Sequence, residues 1–152
     1  MKISDCMKRN VVSISAQATV REAARLFVQK HIGLLPVVER DDKLAGMVDL
    51  RDMIALELPV FVNYIADVDY VHDFGAVERK HPSARMLNKS IKSLMKPAMA
   101  VEEQDSPLRA HALMLQHNLH YVLVVSAEGK LTGVASRVDV GIAILSTWKI
   151  GD

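Results

Sequence analysis

The chain has 152 residues, half of them hydrophobic, with 19 basic side chains against 18 acidic ones and a formal net charge of +1. That balance gives no electrostatic reason to bind nucleic acid or an anionic membrane, and a single cysteine, Cys6, excludes an internal disulfide and suits a reducing compartment. The opening MKISDCMKRN lacks the apolar run of a secretory signal, and no apolar stretch approaches the roughly 20 residues of a membrane span, so a soluble cytoplasmic protein is expected.

In chain order, a lead-in ISDCMKRN is followed by VVSI at 11–14, read as a short strand. Val20, Ala23, Ala24, Phe27 and Val28 recur at helical spacing and predict an amphipathic helix, with Thr19 and Glu22 as a capping box at its start. LLPVVE at 34–39 predicts a second strand, and the polar run Arg40-Asp41-Asp42-Lys43 a turn. LAGMVD predicts a third strand that runs into a helix from about Leu50. Residues 58–90 hold two of the three tyrosines and two of the three phenylalanines, and are expected to form one or two helices rather than a slack linker. A second lead-in, IKSLMKPA, precedes a strand at MAV and a helix over 107–117, where Pro107 suits the first turn. YVLVVS, a turn at Glu128-Gly129, LTGVAS and a helix to about Thr147 complete the chain.

The two passes are copies. Ile3 pairs with Ile91, Met7 with Met95, Val20 with Leu108 and Ala24 with Ala112 at an offset of 88, whereas Gly46 pairs with Gly133 at 87. The residue lost from the second copy is placed in the turn before Lys130. Each copy reads β-α-β-β-α and is too small to bury its own sheet, so two copies must share a core. The expected organisation is α/β, with repeats at 1–57 and 91–152 joined by the insert at 58–90.

The paired segments ISDCMKRNVVSI and IKSLMKPAMAV, GLLPVVE and YVLVVS, GMVDLRD and GVASRVD resemble the tandem CBS (cystathionine-β-synthase-type) domain, or Bateman module, over nearly the whole chain outside the insert. The resemblance implies a pseudo-twofold pair of repeats with two clefts that bind adenosyl compounds, such as AMP, ADP, ATP, S-adenosylmethionine or NAD, as regulatory ligands rather than catalytic cofactors. It implies a non-enzymatic regulator that pairs as a homodimer and passes its output to an effector protein on another chain.

The resemblance gives GVASRVDVG a role. Ser136 fits a helix N-cap and Asp139 the third helical position one turn on. A carboxylate there can accept from both ribose hydroxyls, and a helix N-terminus favours phosphate. Pure capping explains the same two residues, and the roles are compatible. In the first copy Asp49 replaces the hydroxyl, with Asp52 following. A second carboxylate repels phosphate, so the Asp139 cleft ranks first and the Asp52 cleft is left for a cationic or phosphate-free ligand, or none. By family position the base pockets are Met99, Ala100, Val101, Tyr121, Val122 and Leu123 in the second copy, and Val11, Val12, Gly33, Leu34 and Leu35 in the first. Sheet core explains each of these singly. The His-Arg pair common among relatives is missing from Gly33-Leu34 and Tyr121-Val122, leaving Arg137, Arg51 or Lys92 to supply positive charge.

His111, His117 and His120 do not share one helical face, and with no HExxH and no cysteine pair no metal site is expected. His111, matched to Ala23, is expected on the apolar helix face. Trp148 and the insert's Tyr64, Tyr70 and Phe74 are candidates for a dimer or partner surface. Beside the sensor stands a reading from another class, a ligand-free dimerisation or protein-interaction module.

Overall fold

In a computed structural model of the chain, residues 1–57 and 81–151 are described. Tyr64, Tyr70 and Phe74 lie outside them. The elements are β1 (Ile14–Ser15), α1 (Val20–Lys30), β2 (Leu34–Val38), β3 (Leu44–Asp49), α2 (Leu50–Ile54), α3 (Ala84–Leu87), β4 (Ala100–Glu102), α4 (Pro107–His117), β5 (Tyr121–Val125), β6 (Leu131–Ser136) and α5 (Arg137–Leu145), with 3-10 turns at Ile3–Asp5 and Ile91–Ser93. They form two three-stranded sheets, ordered β1-β2-β3 and β4-β5-β6. In each, the first pair is parallel and the second antiparallel. Of the insert, the described part contains α3, capped by Ser83.

The repeat is visible in register. Ile14 faces Val37 and Val101 faces Val124; a bulge follows Val37 and another follows Val124. Thr19 and Ser106 cap the first helices of the two copies, and His31 and Asn118 end them in the left-handed conformation. All these pairs stand 87 apart, while the 3-10 turns stand 88 apart. The lost residue therefore falls between Lys96 and Val101, against Lys8 to Ile14, and not in the turn before Lys130. Ala23 matches the fully buried Ala110, and Phe27 matches Met114. His111 matches Ala24 and is only half-buried. Val28, expected on the buried face, is 75 % exposed. The first strand starts at Ile14 rather than Val11, because its partners on β2 begin at Val37. Helix α5 stops short of Thr147, and the hydroxyls of Ser146 and Thr147 donate back to the carbonyls of Ala143 and Ile144, each at 2.7 Å.

Each lead-in docks on the other repeat. Ile3 N–H donates to Asp105 O at 2.7 Å, and Lys8 exchanges a pair of backbone hydrogen bonds with Val134 at 2.8 and 2.9 Å. In the mirror arrangement Ile91 N–H donates to Ala18 O at 2.9 Å, and Lys96 exchanges bonds with Met47 at 2.9 and 3.0 Å. The outer edges of β3 and β6 are thereby partly paired rather than left open. Because Met47 spends both its backbone groups on Lys96, its partner Pro36 is not asked for the N–H it lacks. The cores follow the same exchange. Ile3 and Met7 pack with Val101, Ala110, Met114, Leu123 and Val140 of the second repeat, whereas Ile91 packs with Ala23, Phe27, Leu35 and Val48 of the first. The two hairpin turns also meet: Leu44 N–H donates to Gly129 O and Leu131 N–H to Asp42 O, both at 3.1 Å.

Close backbone approach requires glycine at two matched points. A Cβ on Gly46 would stand 2.9 Å from Lys96 O and overlap the Met95 side chain; one on Gly133 would stand 3.2 Å from Lys8 O and overlap Met7. Gly46→Val is expected to cost about 1–3 kcal/mol through overpacking. Gly141 lies within α5 with open space where a Cβ would go, so Gly141→Ala is expected to stabilise by about 0.5–1 kcal/mol. Urea unfolding midpoints of the two variants should move in opposite directions.

Candidate functional site

Two strand–helix junctions, β6 into α5 and β3 into α2, carry the polar groups. At the first, Ser136 is the N-cap and its Oγ accepts from Asp139 N–H at 3.1 Å. Asp139 Oδ2 in turn accepts from Ser136 N–H at 2.8 Å and from Ser136 Oγ–H at 2.7 Å. This reciprocal box satisfies helix-end donors that would otherwise lack partners, worth about 1 kcal/mol. The other oxygen, Oδ1, faces Lys8 Nζ at 3.8 Å, across the repeat boundary.

The second junction differs through one side chain. Asp49 caps α2 by accepting from Arg51 N–H at 2.8 Å. An ionised carboxylate has no proton to donate, so Asp52 cannot be tied back to it as Asp139 is to Ser136. Instead Lys96 Nζ lies between the two acids, 3.2 Å from Asp52 Oδ2 and 3.7 Å from Asp49 Oδ2. Arg51 stands 3.8 Å from the same Asp49 oxygen. Asp52 Oδ2 is buried and has no well-aligned hydrogen-bond donor, so its contact with Lys96 is an ion pair by distance rather than a directed bond.

Two cavities flank the second-repeat junction. The larger, about 510 Å³, takes Gly33, Leu34, Asp49 and Arg51 from the first repeat and His120, Tyr121, Ser136 and Arg137 from the second. This volume lies in the range of small-molecule sites. The Tyr121 ring covers Gly33, with Cε2 3.2 Å from where a Cβ would stand, and Arg137 donates to Leu119 O at 3.0 Å. The smaller, about 360 Å³, is bordered by Asp5, Cys6, Val138, Asp139, Ile142 and Ser146. Ser136 thus faces one cavity and Asp139 the other. Burial, and then the charges of Asp139 and Asp5, push the Cys6 thiol above its ordinary pKa.

Of the apolar candidates, Gly33, Leu34 and Tyr121 border the larger cavity. Leu35, Val101, Val122 and Leu123 are buried in the cores, with Val12, Met99 and Ala100 packed against them and Val11 half-buried ahead of β1. β2 and β5 are the middle strands of their sheets and read as near-continuous apolar runs, so pattern alone does not separate a cavity wall from core. Asp52 borders neither cavity, and Lys92 is exposed on its 3-10 turn away from both. Three residues were not singled out from sequence for this site: Lys8, Lys96 and His120. The signal for His120 was the matched helix ends His31 and Asn118, which align Gly33-Leu34 with His120-Tyr121 rather than Tyr121-Val122. A histidine therefore stands at one of the positions where a basic pair was sought. Among the described residues no three His, Cys, Asp or Glu side chains group as a metal site.

The CBS domain profile matches residues 3–58 and 91–145. The chain belongs to the CBS-domain family. This CBS pair is 30 % identical over 152 residues to the chloroplastic CBS domain-containing protein CBSX1 of Arabidopsis thaliana, covering 95 % of the chain and 64 % of that relative. It spans 38 % of an uncharacterised relative from Methanocaldococcus jannaschii, at 24 % identity. Among solved structures, CBSX2 of A. thaliana in complex with AMP superposes with a TM-score of 0.70 at 24 % identity, covering 95 % of this chain and 96 % of that one. The CBS pair of protein MJ0100, solved with 5′-methylthioadenosine and S-adenosyl-L-methionine, gives 0.69 at 15 % identity, covering 97 % and 98 %. Both place the fold. No helix among the described residues is long and apolar enough to cross a membrane.

The raised Cys6 pKa means less thiolate at a given pH, so alkylation by iodoacetamide at pH 7.5 is expected to be slower than for a free thiol. Asp139→Asn removes one of the charges that raise the pKa and is expected to speed the reaction. Rates followed by mass spectrometry check the sign.

Proposed function

We propose that this CBS pair is a regulatory module that binds an adenosyl ligand at the β6–α5 junction and transmits occupancy to another protein. Asp139 takes the ribose hydroxyls, and the 5′ substituent points toward the larger cavity, where Arg137, Arg51 and His120 stand. The observation that carries the reading is the Ser136–Asp139 pair at a helix N-terminus, one member facing each cavity. Related modules solved with AMP, or with 5′-methylthioadenosine and S-adenosyl-L-methionine, support the ligand class. A ligand shifts a protein only through unequal affinity for its states. Here a ribose on Asp139 competes with Lys8, and Lys8 is the residue through which its lead-in pairs with Val134 of the other repeat. Occupancy thus bears on the contact between the repeats. In this reading the module performs no chemistry of its own and works in the reducing cytoplasm.

The solvent side of α4 and α5 exposes Leu108, Leu115, Val138 and Ile142 at 61–70 %, with Trp148 at 62 % just beyond. A row of this kind supports pairing of two modules through these helices. Ile142→Glu is expected to convert a dimer to monomer in sedimentation equilibrium. An unchanged mass would remove this face as the contact.

The second reading, a ligand-free interaction module, draws on the fact that Asp139 already has partners in Ser136 and Lys8. Thermal unfolding with AMP, ATP, S-adenosylmethionine and GTP separates the two. A ligand at a hundred times its Kd stabilises by about 2.7 kcal/mol, a Tm shift on the order of 5–10 °C for a chain of this size. A shift with adenosyl compounds alone, lost in Asp139→Ala, is expected. A flat response from a folded dimer favours the interaction module.

A further inference from the structure

We infer that Lys96 is the resident cation of the first cleft, so that the module takes one adenosyl ligand per chain, at Asp139, while the Asp52 cleft is filled from within. The one-ligand part rests on the function proposed above; the seat of Lys96 does not. Lys8 and Lys96 are counterparts, each in a lead-in that crosses to the other repeat. Their ammonium groups meet different partners. Lys8 is 68 % exposed and touches a single carboxylate oxygen at 3.8 Å, while Ser136 holds the other oxygen of that acid. Lys96 is 33 % exposed and lies between two carboxylates at 3.2 and 3.7 Å.

The cause is that Asp49 stands where the other junction has a hydroxyl. With Ser136 as cap, the following acid is tied by neutral donors and keeps one oxygen loosely engaged. With Asp49 as cap, two negative charges sit one helical turn apart, and the nearest cation is drawn between them. A ribose diol offers only neutral hydroxyls in exchange for that charge, and a 5′-phosphate adds a third negative one. The same geometry answers for a cationic ligand such as a sulfonium, because the position it would take is held by an ammonium tethered to the chain, which any free cation must displace.

Calorimetric titration of the full chain with AMP, and separately with S-adenosylmethionine, tests the inference. One site per chain is expected, weakened at least tenfold by Asp139→Asn and changed less than twofold by Asp52→Asn. Two sites, or an Asp52→Asn loss equal to that of Asp139→Asn, would overturn it. Urea unfolding tests the Lys96 seat without a ligand. Lys96→Met is expected to lower the midpoint, and adding Asp52→Asn is expected to restore part of the loss, since it removes one of the charges left facing each other. Strictly additive midpoints overturn the seat. Lys96→Gln serves as a second variant should the methionine form fold poorly. A flat titration with the coupling intact removes the sensor reading and leaves Lys96 as an internal pin.

Discussion

The structure depends on an exchange of lead-in segments between its two halves. Each lead-in lies against the outer edge of the other repeat's third strand, and it can lie that close only because Gly46 and Gly133 carry no side chain. The groups that meet across the boundary inherit their positions from that contact. It brings Lys8 to Asp139 and Lys96 to Asp49 and Asp52, and it delivers Ile3 and Ile91 to cores they would not otherwise reach. The pseudo-twofold relation is thus built from hydrogen bonds and buried apolar side chains that cross the boundary, not from two finished domains touching.

Symmetry of backbone does not impose symmetry of chemistry. The β3–α2 and β6–α5 junctions share strand register and an N-cap position, yet a carboxylate in place of a hydroxyl changes which groups can hydrogen-bond to which. Ser136 both accepts and donates, so Asp139 is satisfied locally. The Asp49 carboxylate only accepts, so cations balance the pair of acids: Arg51 beside Asp49, and a lysine from the other repeat that reaches both Asp49 and Asp52. The helices diverge as well: α5 runs Arg137–Leu145 and exposes an apolar row, whereas α2 ends at Ile54.

Much of this was legible in the sequence. The strands LAGMVD and LTGVAS, the helix over 107–117, the box at Thr19 and Glu22 and the cap at Ser136 lie where local pattern placed them, because turn chemistry and capping act over three or four residues. The copies themselves were legible from identities such as KLAGMV and KLTGVA. What misled was their alignment. Identities in the lead-ins carried the offset of 88 through the first helix and so moved His111 onto the buried face. The register is set by strand pairing and helix ends, which identities between short apolar residues do not report. Lys8 and Lys96 were missed for a related reason: the residues they meet are over 40 positions away, and no spacing rule joins a lead-in to the far repeat. The base-pocket candidates show another limit, since a middle strand covered on both faces looks the same whether a residue walls a cavity or fills a core.

The exchanged lead-ins also bear on how such a chain could arise. A polypeptide carrying one repeat would hold a lead-in with nowhere to dock and a glycine-notched edge with nothing in it. Two copies would satisfy both needs by trading segments, each completing the other. Joining the copies in tandem turns that concentration-dependent trade into an internal one, and once joined, the halves are free to diverge wherever the trade itself is untouched. The hydroxyl at one junction and the carboxylate at the other are a difference of that kind. The notch glycines, by contrast, are held by the partner half, and a change there costs stability unless the segment lying against it changes too.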